Sequence, residues 1–100
     1  MNLIELPAGD LISAGLRDLE EGNINTVPAL LVAISSTRLA KAGLVFPKTS
    51  FIKEPELALY RHLQQEREDA YSYYNALLRS LDSFCNALET NQYKRIKESR

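Results

Sequence analysis

Few side chains in this sequence are of the kinds that do chemistry. There is one histidine, His62, and one cysteine, Cys85. A zinc-type centre needs three or four Cys, His, Asp or Glu ligands converging on one point. These two fall on different helical faces, so no metal and no cofactor is expected. On a helical wheel His62 lies about 100° from Leu63 and about 60° from Leu59, which turns it toward solvent. Cys85 lies among apolar neighbours, where a cysteine behaves as a small hydrophobe and its thiolate is disfavoured. The acidic groups, Glu20 with Glu21 and Glu66 with Glu68 and Asp69, occur in polar stretches at helix ends and read as solvated faces. General acid catalysis would need one of these carboxyls held in an apolar pocket. The four glycines are scattered at 9, 15, 22 and 43, with none of the spacing of a phosphate-binding loop. A small hydrolase built on Arg38, His62 and scattered acids is the weakest of three functional expectations, and the chain is not expected to be an enzyme.

Two stretches carry groups suited to phosphate. In ISSTR, the hydroxyls of Ser36 and Thr37 with Arg38 one turn in could hold an anion at a helix start. The same residues serve equally as a plain helix cap. YKRIKESR closes the sequence with Lys94, Arg95, Lys97 and Arg100 against Glu98. A basic helix end complements the helix dipole, and Lys94, Arg95 and Lys97 are also the candidate contacts for a nucleic-acid backbone.

AYSYYNALLRSL, residues 70–81, places three of the five tyrosines in four positions. With Tyr74 at the origin of a wheel, Leu77, Leu78, Leu81, Phe84, Cys85 and Leu88 all fall within about 80° of it. Tyr74 is therefore expected at the centre of the buried stripe. Tyr71 falls about 60° to one side and Tyr73 about 100° to the other, both at the boundary. Tyrosine is enriched in protein contacts, so Arg67, Tyr71 and Tyr73 form the candidate interaction surface. Lying on opposite rims, at most one of the two tyrosines is expected in any single contact.

The elements that must position these groups follow from length and pattern. One hundred residues make one domain, with residues 1–91 as a helical domain and 92–100 as a basic, frayed tail. The composition, 45% hydrophobic and 25% charged, is that of a folding globular chain. A net charge of -1 gives no global attraction to nucleic acid or anionic lipid. The longest strongly apolar run, Val27 to Ile34, is well short of the ~20 residues that cross a bilayer, so no membrane association is expected. An acidic start with no basic residue before Arg17 is unlike a secretory signal, and a lone cysteine cannot form an internal disulfide. The expected location is the cytoplasm.

DLISAGLRDLEEG predicts a helix with Asp10 as N-cap and Gly22 closing it. NINTVPALLVAIS predicts a second, centrally buried helix capped by Asn25 or Thr26, with Pro28 in its first turn. A break at Ser35–Thr37 precedes a short helix ending at Gly43, with Ser36 or Thr37 as its cap. LVFPKTSFIKEP is a loop anchored by Phe46, Phe51 and Ile52. From Pro55 to about Glu89 the pattern fits one long bent helix or two helices divided at Asp69. The expectation is an all-α fold, a single compact bundle of four to five helices.

This set of residues points to a non-enzymatic interaction or regulatory module that binds another protein chain, a second copy of itself or a different one. The alternative is a nucleic-acid-binding regulator that uses a helix pair and the basic C-terminal tail.

Overall fold

VPALLVAI is apolar on every side, and a helix without a polar face is stable only where other elements cover it all round. The computed structural model describes Leu6, residues 8–44 and residues 51–98, of which 91–98 are described by backbone alone. These contain five helices and no strand: α1 (Gly9–Glu20), α2 (Val27–Ile34), α3 (Ser36–Lys41), α4 (Pro55–Glu66) and α5 (Ala70–Glu98). The fold is the all-α bundle that the pattern implies. Helix α2 is VPALLVAI, and Ala29 through Ala33 are buried without interruption. Helices α1 and α4 pack against it, α5 packs on α4, and the short α3 bridges α2 to α5.

Thr26 sets where α2 begins. Its hydroxyl oxygen accepts the Ala29 amide at 3.2 Å and donates to Asp18 Oδ2 at 2.7 Å. One side chain thus caps α2 and ties its start to the last turn of α1. Pro28 occupies the first turn, where its missing amide hydrogen has no partner to lose. Helix α1 ends in a Schellman turn, with the Gly22 amide on Leu19 O and the Asn23 amide on Asp18 O. That turn puts Gly22 at φ +84°, a conformation that a side chain would strain. Gly43 ends α3 in the same way, at φ +94°, with Leu44 bonded back to Leu39.

Three boundaries differ from the sequence expectation. Asp10 lies inside the first turn of α1 and does not cap it. A turn joining the Gly9 amide to Leu6 O starts the helix earlier, with Ala8 left-handed at φ 60° in the cap position. Ser36 and Thr37 do not cap α3; the junction residue is Ser35, whose buried hydroxyl donates back to Leu31 O at 2.9 Å. The hydroxyl serves the end of α2 and makes no cap hydrogen bond to the start of α3. Helix α5 continues beyond Glu89 to Glu98.

The α4–α5 boundary falls at Arg67–Asp69, so residues 55–90 form two helices. Arg67 is extended there, at φ −155° and ψ 154°. In the loop before α4, Leu44 and Ile52 pack against the core, and Phe51 is 36% exposed. Phe46 lies outside the described residues. Among the described residues no helix is long and apolar enough to cross a membrane.

At Gly15, α1 lies close against α2. A Cβ built on it would meet the Pro28 carbonyl oxygen at overlapping distance and lie 2.7 Å from Val32 Cγ2. The obstacle is backbone, which cannot rotate out of the way. Elsewhere in a helix, glycine to alanine gains about 1 kcal/mol of propensity. Here overpacking, typically about 1–3 kcal/mol, has the opposite sign and a backbone obstacle places it at the upper end. Gly15→Ala is therefore expected to destabilise the protein by about 2 kcal/mol, read as a lower urea midpoint. A midpoint unchanged or raised would show that α1 and α2 are not in this contact.

Candidate interaction surface

The α4–α5 elbow is held by charge and by rings. Arg67 ends α4, and its Nε donates to Asp69 Oδ1 at 2.6 Å and its Nη2 to Asp69 Oδ2 at 3.3 Å. The guanidinium carbon also lies 3.8 Å from the centre of the Tyr73 ring, within the range of a cation–π contact. The hydrogen bond from Arg67 holds the Asp69 carboxyl below the usual aspartate range, and Asp69 in turn raises Arg67. Asp69 is depressed in the folded state, so this contact contributes above the ordinary aspartate range and is lost as pH falls through the lowered value.

Across the elbow, Tyr60 of α4 receives two rings from α5. Tyr74 meets it edge to face at 5.5 Å between centroids and 86°, and Tyr71 at 6.5 Å and 82°. These are favoured aromatic geometries. Burial, and then the charge of Glu56, raise the Tyr74 hydroxyl above its ordinary range. Tyr60 lies on α4 while both ring partners lie on α5, so the pattern of α4 alone does not announce the cluster.

Tyr74 is not the centre of the buried stripe. It is half-buried at the edge, while Ala70, Leu77, Leu81, Phe84, Cys85 and Leu88 are buried. The axis through those six lies about 40° to one side of Tyr74. A wheel registers every apolar residue alike and cannot tell which of them faces the neighbouring helix. Tyr71 and Tyr73, expected at the boundary, are both exposed, at 68% and 36%. The structure brings Arg67 to both: it stacks on Tyr73, and with Tyr71, Tyr60 and Gln64 it lines a depression of about 610 Å³. On the other side Tyr71 walls a second depression of about 570 Å³, with Asn75, Leu78 and Arg79. Tyr71 is thus a ridge between two hollows.

Among the described residues of the phosphate-contact set, Arg38 is engaged by α5. Arg38 reaches from α3 onto α5, where Nη1 donates to Asp82 Oδ1 at 2.7 Å, Nη2 to Asn86 Oδ1 at 3.0 Å and Nε to Glu89 Oε1 at 3.0 Å. Asp82, Asn86 and Glu89 stand at i, i+4 and i+7, on one face of the helix. The bonds to Glu89 and Asp82 make the guanidinium hold its proton more tightly than usual. Two carboxylates compensate this cation, which clasps α3 to α5. Ser36 is half-buried and Thr37 exposed. The backbone at Lys94, Arg95 and Lys97 is helical, and their side chains lie outside the described residues.

His62 also departs from its expected position. It is half-buried and lines a cleft of about 340 Å³, with Nε2 3.1 Å from Asn25 Oδ1. The α1–α2 connection and residues 52–54 come up beside it, which a wheel of α4 alone does not register. Cys85 is buried in the core as expected, and burial raises its thiol, with the nearby Arg38 charge acting the other way. Among the described residues, no group of three or more His, Cys, Asp or Glu side chains is placed to hold a metal ion.

Comparison with protein-family models, curated proteins and solved structures finds no match for this chain.

The Arg38 clasp has a measurable strength. Its partners are partly exposed, and isolated surface pairs contribute about 0.2–1 kcal/mol. A network that shares one guanidinium should reach the top of that range. A double-mutant cycle on Arg38→Gln and Asp82→Asn is expected to give a coupling of about 1 kcal/mol in chemical denaturation. Additive effects would show that the two side chains do not meet in solution.

Proposed function

We propose that the protein is a non-enzymatic interaction module that presents the α4–α5 elbow to another protein chain, and that a second copy of itself is the occupant this surface suits best. The observation that carries this is Tyr71, a large ring 68% exposed yet held edge-on by Tyr60, between hollows of about 610 and 570 Å³. Tyrosine and arginine supply a large share of binding energy at protein interfaces. Rings and guanidinium groups fixed before contact lose little side-chain entropy when they bind.

The relief is self-complementary in kind. A two-fold contact brings the same patch of each copy together, so a ridge beside a hollow on one copy can enter the hollow beside the ridge on the other. A chain of this size buries a modest share of its surface when it folds alone, and pairing covers what is left. Polar groups around the ridge, the exposed Ser72 and Arg79 and the half-buried Asn75, supply the rim that surrounds the apolar centre of a typical interface.

Sedimentation equilibrium over a range of concentrations tests this. The mass should rise toward two chains, and Tyr71→Ala should return it to one chain with the circular dichroism unchanged, because that side chain is mostly outside the core. A single-chain mass at every concentration would remove the self-association reading, as would a dimer indifferent to Tyr71→Ala.

A further inference from the structure

The cleft beside His62 takes no part in the elbow, and its lining has a definite chemical character. Two cationic side chains, Lys53 and Arg61, stand against one carboxylate, Glu54. The lining is therefore net positive on a chain whose overall charge is -1. Ile52 and Leu57 give it an apolar wall. At about 340 Å³ it lies within the range of small-molecule clefts, about 300–1,000 Å³.

The backbone adds donors of the same sign. Helix α4 begins here, and Pro55 at its first position has no N–H. The Ala58 amide bonds Glu54 O at 3.2 Å. The amides of Glu56 and Leu57 are thus the first-turn donors with no acceptor inside the helix, at the positive end of its dipole. One turn on, His62 is held in place by Asn25. An amide oxygen only accepts, so Nε2 carries the hydrogen in that contact. Two cations, the start of α4 and an oriented ring thus border a cleft with an apolar wall.

We propose that this cleft binds a small ligand carrying an oxyanion, a carboxylate or a phosphate ester, on an apolar body. Lys53 and Arg61 pair with the oxyanion beside the start of α4, Ile52 and Leu57 contact the apolar body, and the Asn25–His62 pair closes one side. Arginine and lysine reach such groups by charge-assisted hydrogen bonds, each strong enough that loss of both costs affinity well beyond tenfold. The ligand would bridge the α1–α2 connection and α4, two segments that both border α2.

The test is a titration of the full chain with phenyl phosphate and, separately, benzoate, followed through amide resonances, with phenol as the neutral comparator. The expected result is saturable movement of the resonances of Asn25, Lys53, Leu57, Arg61 and His62 with at least one of the two anions. The tighter of the two identifies the oxyanion. Lys53→Gln with Arg61→Gln should weaken that binding at least tenfold, while Lys41→Gln, exposed on α3, removes one positive charge and leaves it unchanged. Lys53 and Arg61 are exposed, so the double variant should keep the parent thermal midpoint. Linear, unsaturated shifts with both anions would overturn the proposal. Equal movement with phenol, or equal weakening by Lys41→Gln, would overturn it too.

Discussion

The fold depends on covering one helix. VPALLVAI has no polar face to offer water, so α1, α4 and the turn into α3 must enclose it, and Gly15 of α1 lies directly against the Pro28 carbonyl and Val32. Each of Leu30, Leu31 and Val32 is essentially inaccessible, and each contributes about 2 kcal/mol by leaving water. That is a large share of the net stability of a small domain, about 5–15 kcal/mol. A side chain larger than hydrogen at position 15 would push α1 away and reopen part of this surface.

The remaining elements are arranged from that centre outward. Helix α4 packs on α2, with Leu59 and Leu63 buried in the shared core, and carries the half-buried Tyr60 beside them. Tyr60 in turn receives Tyr71 and Tyr74, which fixes where α5 leaves the elbow. The Arg67–Asp69 pair and the Tyr73 ring close the same bend from the other side. Farther along α5, Arg38 clasps Asp82, Asn86 and Glu89 and ties the helix back to α3. The exposed ridge at Tyr71 is thus positioned by a chain of contacts that starts in the core. The cleft at His62 is bordered by the same α4 and by Asn25, next to the Thr26 cap of α2.

Much of this architecture was legible along the chain, because its signals are local. Thr26 and Pro28 mark the start of α2, Gly22 and Gly43 mark helix ends that require a left-handed residue, and Pro55 marks the start of α4. The uninterrupted apolar character of α2 announces its burial without reference to any neighbour. What was not legible depends on partners far away in sequence. Arg38 reads as a free cation until α5 places two carboxylates around it, 44 and 51 residues later. His62 reads as solvated until Asn25, 37 residues earlier, is brought beside it. Tyr74 shows the same limit within one helix: its wheel contains the right stripe, but the direction of the neighbouring helix decides which edge is open.

Native-state hydrogen exchange of the backbone amides tests most directly whether α2 organises the rest. Amides whose exchange requires global unfolding mark the last structure to open. The amides of Leu30 to Ala33 should be the slowest in the protein and should share one opening free energy equal to that of global unfolding, with those at the elbow and the cleft opening earlier. If α2 exchanges sooner than α5, the helix on which this account is built is not its core.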